Sequence, residues 1–186
     1  MKTPDSGVRQ ACRGKGVTEM KANWHIAQIN VATARYALDD VRMSGFMNQL
    51  DGINALADRS TGFVWRLQSE SGNATDIDVG GDPLFVVNMS VWTTAESLFD
   101  FVYKTAHRSV MTNRRKWFEK PEGAYQALWW IAAGHIPTVE EGLARLKLLT
   151  SRGPSPDAFS FKKIFRLDVE GEAGDLKPEP HCSGWK

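Results

Sequence analysis

Apolar residues change period several times along this chain, and each period predicts an element. "WHIAQINVA" (24–32) alternates and carries Ile and Val, which predicts a strand. "SGFMNQLDGINALADRS" places Phe46, Met47, Leu50, Ile53, Leu56 and Ala57 at helical spacing. That is an amphipathic helix of about 14 residues, ending near Ser60-Thr61-Gly62. "GFVWRLQ" (62–68) predicts a second strand and "LFVVNMSVW" (84–92) a third, with a turn-rich loop between them. Thr93 stands three residues before Glu96, the spacing of a capping box. The helix it opens is expected over most of 94–118, broken near Lys104-Thr105. "AYQALWWIA" (124–132) is a fourth strand. Thr138 and Glu141 repeat the capping spacing before "VEEGLARLKLLTSRG", a third helix stopped by Gly153-Pro154. "AFSFKKIFRL" (158–167) predicts a short extended segment.

The order β-α-β-β-α-β-α fits an α+β fold: a ferredoxin-like βαββαβ sheet with two helices on one face, plus a C-terminal helix. Parity then sorts the side chains. Phe85, Val87, Met89 and Val91 form an apolar set, expected to face the helices. Leu84, Val86, Asn88, Ser90 and Trp92 form a mixed set, which reads as a pocket wall. In the first strand Trp24, Ile26, Gln28 and Asn30 oppose His25, Ala27, Ile29 and Val31. In the second, Phe63, Trp65 and Leu67 oppose Val64 and Arg66. Trp129 and Trp130 must point to opposite faces. A free sheet face carrying these mixed residues is too apolar for water, so closure by a second copy about a two-fold axis is expected.

Composition adds boundaries. The chain has 186 residues with a formal net charge of +1, which points to neither nucleic acid nor membrane as a partner. No apolar run approaches the roughly 20 residues of a membrane span. Cys12 and Cys182 sit in polar terminal segments and make neither a disulfide framework nor a metal cluster. A cytoplasmic setting is therefore expected. Residues 1–22 read as a disordered extension, 23–167 as the barrel domain and 168–186 as a flexible tail. "MKANWHIAQINV", from Met20, opens the first patterned segment directly.

The blocks "FVY…AHR", "R…WF" and "LWW…GHIPT", with "WHIAQINVA", "GDPLFVVNMSVW" and "GPSPDAFSF", carry a resemblance over about residues 24–161. The chain resembles a bacterial and fungal family catalogued as domain of unknown function 3291. The resemblance implies the dimeric α+β barrel superfamily, which includes antibiotic-biosynthesis monooxygenases, haem-degrading oxygenases, stress-response barrels and muconolactone-isomerase-like enzymes. It supplies no reaction.

Candidate chemistry centres on "FVYKTAHRSVMTNRRKWF". Tyr103, His107, Val110, Arg114 and Trp117 share one helical stripe. His107 is placed to move a proton near neutral pH, with Arg114 holding an anionic oxygen and Tyr103 beside them. Gln28, Asn30, Arg66, Asn88, Ser90, Trp92, Trp117, Trp129 and Trp130 are the candidate substrate-binding residues. His135 reads as a turn residue, and His25 as a satisfied histidine on the apolar face. No pair of His, Cys, Asp or Glu has metal-ligand spacing, so no metal and no cofactor is expected. Nucleotide-binding and serine-hydrolase motifs are absent. The expected function is a cofactor-independent enzyme acting on a small hydrophobic molecule of specialised metabolism, monooxygenase-like or isomerase/cyclase-like. The alternatives are a ligand carrier or sensor and a structural dimer module with a filled barrel, lacking any cavity above about 300 Å³.

Overall fold

The computed structural model describes residues 24–167 and 173–174. The expected N-terminal extension and most of the C-terminal tail lie outside the described residues.

Four antiparallel strands make the main sheet: β1 (Trp24–Thr33), β2 (Phe63–Arg66), β3 (Phe85–Trp92) and β4 (Gln126–Ala132). Their order is β2-β3-β1-β4, so the two longest central strands carry the core. The helices are α1 (Ser44–Asp58), α2 (Ala95–Lys104), α3 (His107–Asn113) and α4 (Val139–Arg152). This is the expected α+β, ferredoxin-like arrangement. Leu128 exchanges backbone bonds with Phe159, so the 158–167 segment borders β4. A two-residue strand, β5 (Arg166–Leu167), pairs with β6 (Ala173–Gly174) in a separate two-stranded sheet that includes two residues of the expected tail.

Register fixes the faces. Gln28 pairs with Ser90, Asn30 with Asn88, and Ile26 with Trp92. On the other side, Asn30 pairs with Gln126 and Ile26 with Trp130. The strand parity therefore holds, but the helices cover the opposite faces from those expected. Ala27, Ile29, Val87, Met89, Val91 and Trp129 pack against α4, through Leu146 and Leu149. Ile26, Trp92 and Leu128 pack against α1 and α2, through Ala57, Leu98, Phe101 and Val102. The mixed face is thus enclosed by helices of the same chain. The reason for invoking a second copy, an uncovered mixed face, is removed. The physical cause is α4. A third helix takes the purely apolar face, and the other helices are left to roof the polar one.

Two local departures matter. A bulge between Phe63 and Trp65 shifts the β2 register, so Phe63 joins the mixed-face cluster while Trp65 joins the α4 side. Simple alternation through β2 puts them together. The N-cap of α2 is Thr94, whose hydroxyl accepts from Ser97 N at 3.0 Å, rather than Thr93. Thr93 N instead donates to Gly62 O at 2.7 Å, tying the β1–α1–β2 corner to the end of β3. Gly62 has φ of 81°, and a Cβ there would meet Ser97 Cβ at 2.7 Å. Gly62→Ala is therefore expected to lower the unfolding free energy by about 2–4 kcal/mol, from left-handed strain plus overlap. Urea unfolding checks this, and an unchanged midpoint would refute it.

The expected capping of α4 is present. Thr138 accepts from Glu141 N at 3.2 Å, and Gly153 closes the helix with φ of 75°. Among the described residues, no helix is long and apolar enough to cross a membrane.

Candidate functional site: a cleft inside one chain

Between the mixed sheet face and α1, α2 and α3 lies a partly open cavity of about 160 Å³. That is below the roughly 300 Å³ at which drug-sized pockets begin. It is close to the about 150 Å³ of an interior cavity that takes one benzene ring. The enclosed part therefore holds a group of about single-ring size.

The sheet supplies a strip of amides. Gln28 Nε2 donates to Asn88 Oδ1 at 3.1 Å, and Gln126 Nε2 donates to Gln28 Oε1 at 3.4 Å. Gln28 is only 4% exposed, so this satisfaction is obligatory. Trp92 Nε1 donates to Ser90 Oγ at 2.9 Å, leaving the Ser90 proton available. Gln28→Leu would strand the Asn88 acceptor and the Gln126 donor, and is expected to cost about 1–3 kcal/mol in a denaturation experiment. A neutral outcome would mean that the strip is not held as described.

The helices supply the opposite wall. Thr105, with φ −112° and ψ −175°, ends α2, and its hydroxyl donates back to Phe101 O at 2.6 Å. The chain restarts as α3 at His107. The break separates the expected Tyr103–Trp117 stripe into three environments. His107, Val110 and Arg114 line the cavity. Tyr103 is 39% exposed and lies against Phe99 and Phe161, away from it. Burial raises the Tyr103 hydroxyl pKa above its ordinary value. Trp117 is buried against Phe46 in a separate cluster with Met43 and Phe118.

His107 has one nitrogen engaged. Nδ1 lies 3.4 Å from Val102 O, and since a carbonyl only accepts, Nδ1 carries the proton. Nε2 is then the basic atom and has no hydrogen-bond partner among the described residues. Burial lowers the His107 pKa below its ordinary value, and the Val102 bond opposes this only in part. The neutral form of the ring is thereby favoured.

Arg114 sits with its guanidinium 4.2 Å from the centre of the Tyr125 ring. It has no ion pair among the described residues. Arg66 differs. Its Nε donates to Asp58 Oδ1 at 2.8 Å and its Nη1 to Gly72 O at 2.7 Å. Arg66 borders the cavity, but its charge is spent tying α1 to the 69–76 loop.

Of the expected binding residues, Gln28, Asn30, Arg66, Asn88, Ser90 and Trp92 line the cavity, and Trp129 and Trp130 do not. Trp129 lies on the α4 face and donates to Glu141 Oε1 at 3.2 Å. Glu141 also takes a 2.9 Å bond from His135, which gives His135 the expected local role. Burial opposes the Glu141 charge, but the bonds from His135 and Trp129 together hold its pKa below the ordinary value. Trp130 donates to Phe165 O at 2.7 Å. His25 departs from the satisfied histidine expected there, since its Nδ1 is buried with no partner among the described residues. Strand parity could have found Gln126, which follows the period of Leu128 and Trp130. Tyr125, Asn54 and Asn73 carried no signal, because loop and helix contacts place them. Among the described residues there is no group of three or more His, Cys, Asp or Glu able to hold a metal.

The family profile for Domain of unknown function (DUF3291) matches residues 25–173. The chain belongs to this family. No curated protein matches the DUF3291 chain. Solved structures overlap it in part. The NE2512 protein of unknown function from Nitrosomonas europaea is 11% identical with a TM-score of 0.42, covering 62% of this chain and 97% of its own. SnoaB, a cofactor-independent oxygenase from Streptomyces nogalater, is 16% identical with a TM-score of 0.41, covering 61% and 98%. Rv0793 from Mycobacterium tuberculosis is 14% identical with a TM-score of 0.39, covering 61% and 99%. At these values the fold of the DUF3291 chain rests on its own strand order, and its chemistry on its own side chains.

Proposed function

We propose that this protein is a small-molecule enzyme that moves a proton on a substrate of about single-ring size, using its own side chains. The observation that carries the reading is His107: a neutral imidazole, fixed in one tautomer by Val102 O, with Nε2 unengaged on a cavity rich in donors. Nε2 takes a proton from carbon beside a carbonyl. The carbonyl oxygen becomes an enolate oxygen, stabilised by Ser90 O–H, Asn88 Nδ2 or Arg114. The imidazolium returns the proton to the same carbon, which is exchange without net change, or to a conjugated one, which is isomerisation; atoms and charge balance in both. Most of the lining is apolar, which suits the ring, and the amide strip, His107 and Arg114 supply the polar contacts.

The test is proton exchange. Single-ring keto and enol compounds in D2O are followed by proton NMR for loss of the carbon-bound signal. The reading expects exchange on at least one compound, abolished by His107→Gln. If the compounds that bind in the cleft show no exchange, or if His107→Gln exchanges at the wild-type rate, the cleft is a binding site only.

The same depressed pKa predicts a pH dependence. The unfolded histidine titrates near 6.5 and the folded one below it. Between those values the unfolded chain binds more protons, so stability falls as pH drops below about 6.5 and is fully present above it. His107→Gln is expected to remove this His107 share of the slope in thermal unfolding at pH 5–7. An unchanged slope would place the proton uptake elsewhere.

A further inference from the structure

We infer that the cleft is built for a small anion: one ring, or its aliphatic equivalent in size, bearing a carboxylate or an enolate. The inference rests on the reading of the cleft as a ligand site and names what enters it.

Charge is the first ground. The residues lining the cavity include two arginines and no Asp or Glu. Arg66 is neutralised by Asp58, which does not line the cavity. Arg114 makes no ion pair among the described residues, although Glu119 and Glu122 border a second, more open hollow with it. Glu119, the carboxylate nearest to it in sequence, is taken by Arg35 at 3.5 Å. A partly buried guanidinium held on an aromatic face, with no carboxylate of its own, lacks a counter-charge that a ligand can bring.

Hydrogen-bond accounting is the second ground, and it is independent of charge. Along the sheet wall two amide oxygens each already accept one internal bond: Asn88 Oδ1 from Gln28, and Gln28 Oε1 from Gln126. Ser90 Oγ already accepts from Trp92. The groups of Asn88 and Ser90 that have no bond at all among the described residues are the amide N–H and the hydroxyl O–H. These meet oxygen acceptors on a ligand and leave donors on a ligand unpaired. An ammonium or amidinium ligand would face the Arg114 charge, which opposes it even though His107 Nε2 and spare amide lone pairs could accept from it.

Size is the third ground. About 160 Å³ holds one ring, so any larger ligand must leave the rest of its structure at the open mouth.

The probes are benzoate, its neutral isostere benzamide, and the cation benzamidine. Their affinities are measured by titration of backbone and side-chain amide resonances of the full chain. The inference expects benzoate to bind at least about tenfold tighter than benzamide, and benzamidine not to bind. Arg114→Gln should erase the preference for benzoate, and Arg114→Lys should keep part of it. Thermal unfolding of each variant reports whether it is folded. If Arg114→Gln does not fold, the Arg114→Lys comparison and the salt dependence of benzoate binding decide, since a preference carried by an ion pair weakens with salt. Equal binding of benzoate and benzamide, or a benzoate preference that survives Arg114→Gln, overturns it. Benzoate selectivity without any His107-dependent exchange upholds the anion site and ends the proton-transfer reading. Exchange without anion selectivity does the reverse.

Discussion

Trp92→Ala is expected to destabilise the fold by about 3–5 kcal/mol, the range for deleting a large buried aromatic. Trp92 is fully buried at the end of β3, and its ring stacks on Phe101 at 5.1 Å and meets Phe63 edge-on at 5.3 Å. It thereby joins β2, β3 and α2 at one point. Its Nε1 also holds the Ser90 hydroxyl, so truncation frees a cavity-wall group and enlarges the cleft together. Chemical denaturation should show a lower midpoint with an unchanged slope. Trp92→Phe keeps most of the packing but loses the bond, and should fall between the two. A loss under about 1 kcal/mol for Trp92→Ala would mean that this corner of the core does not hold the sheet to α2.

His107→Gln is expected to reduce turnover by about 10²–10⁴-fold on any substrate the cleft processes, the span attributed to one positioned acid–base group. Its effect on substrate binding should be small, because glutamine keeps a polar side chain of similar reach. The wild-type imidazole can be followed without a substrate. Its NMR titration should show a pKa below 6.5 and the Nδ1–H tautomer when neutral. A midpoint at or above 6.5 would contradict the burial on which the base role depends.

Much of this architecture was legible in the sequence, and the illegible parts have definite causes. Element order and strand parity were readable because period-2 and period-3.6 patterns are local. The identity of the helix covering each face was not. Val87 and Met89 look the same from the sequence whether α1 or α4 packs on them, and only tertiary assembly decides. The polar residues Gln28, Asn30, Asn88 and Ser90 stood out because they interrupt otherwise apolar strands. They were correctly grouped, although the expected roof was a second copy and the observed one is α1, α2 and α3. The Tyr103–His107 stripe failed at a single residue. Thr105 takes an extended conformation and rotates α3 relative to α2, so residues four apart across the break no longer share a face. The stacking of Arg114 on Tyr125 links a helix end to the approach to β4, a contact between segments whose patterns hold no trace of each other.

Every role given to His107, Arg114 and the amide strip requires an accessible hollow within a single protomer, bounded by β1, β3, α1 and α3. A crystal structure of the full chain soaked with benzoate tests this most directly. The ring should lie between Asn88 and Val110 of one protomer, with its carboxylate within hydrogen-bond reach of Arg114. A hollow closed by side chains, or a mixed sheet face lying open and covered by another molecule, would contradict it.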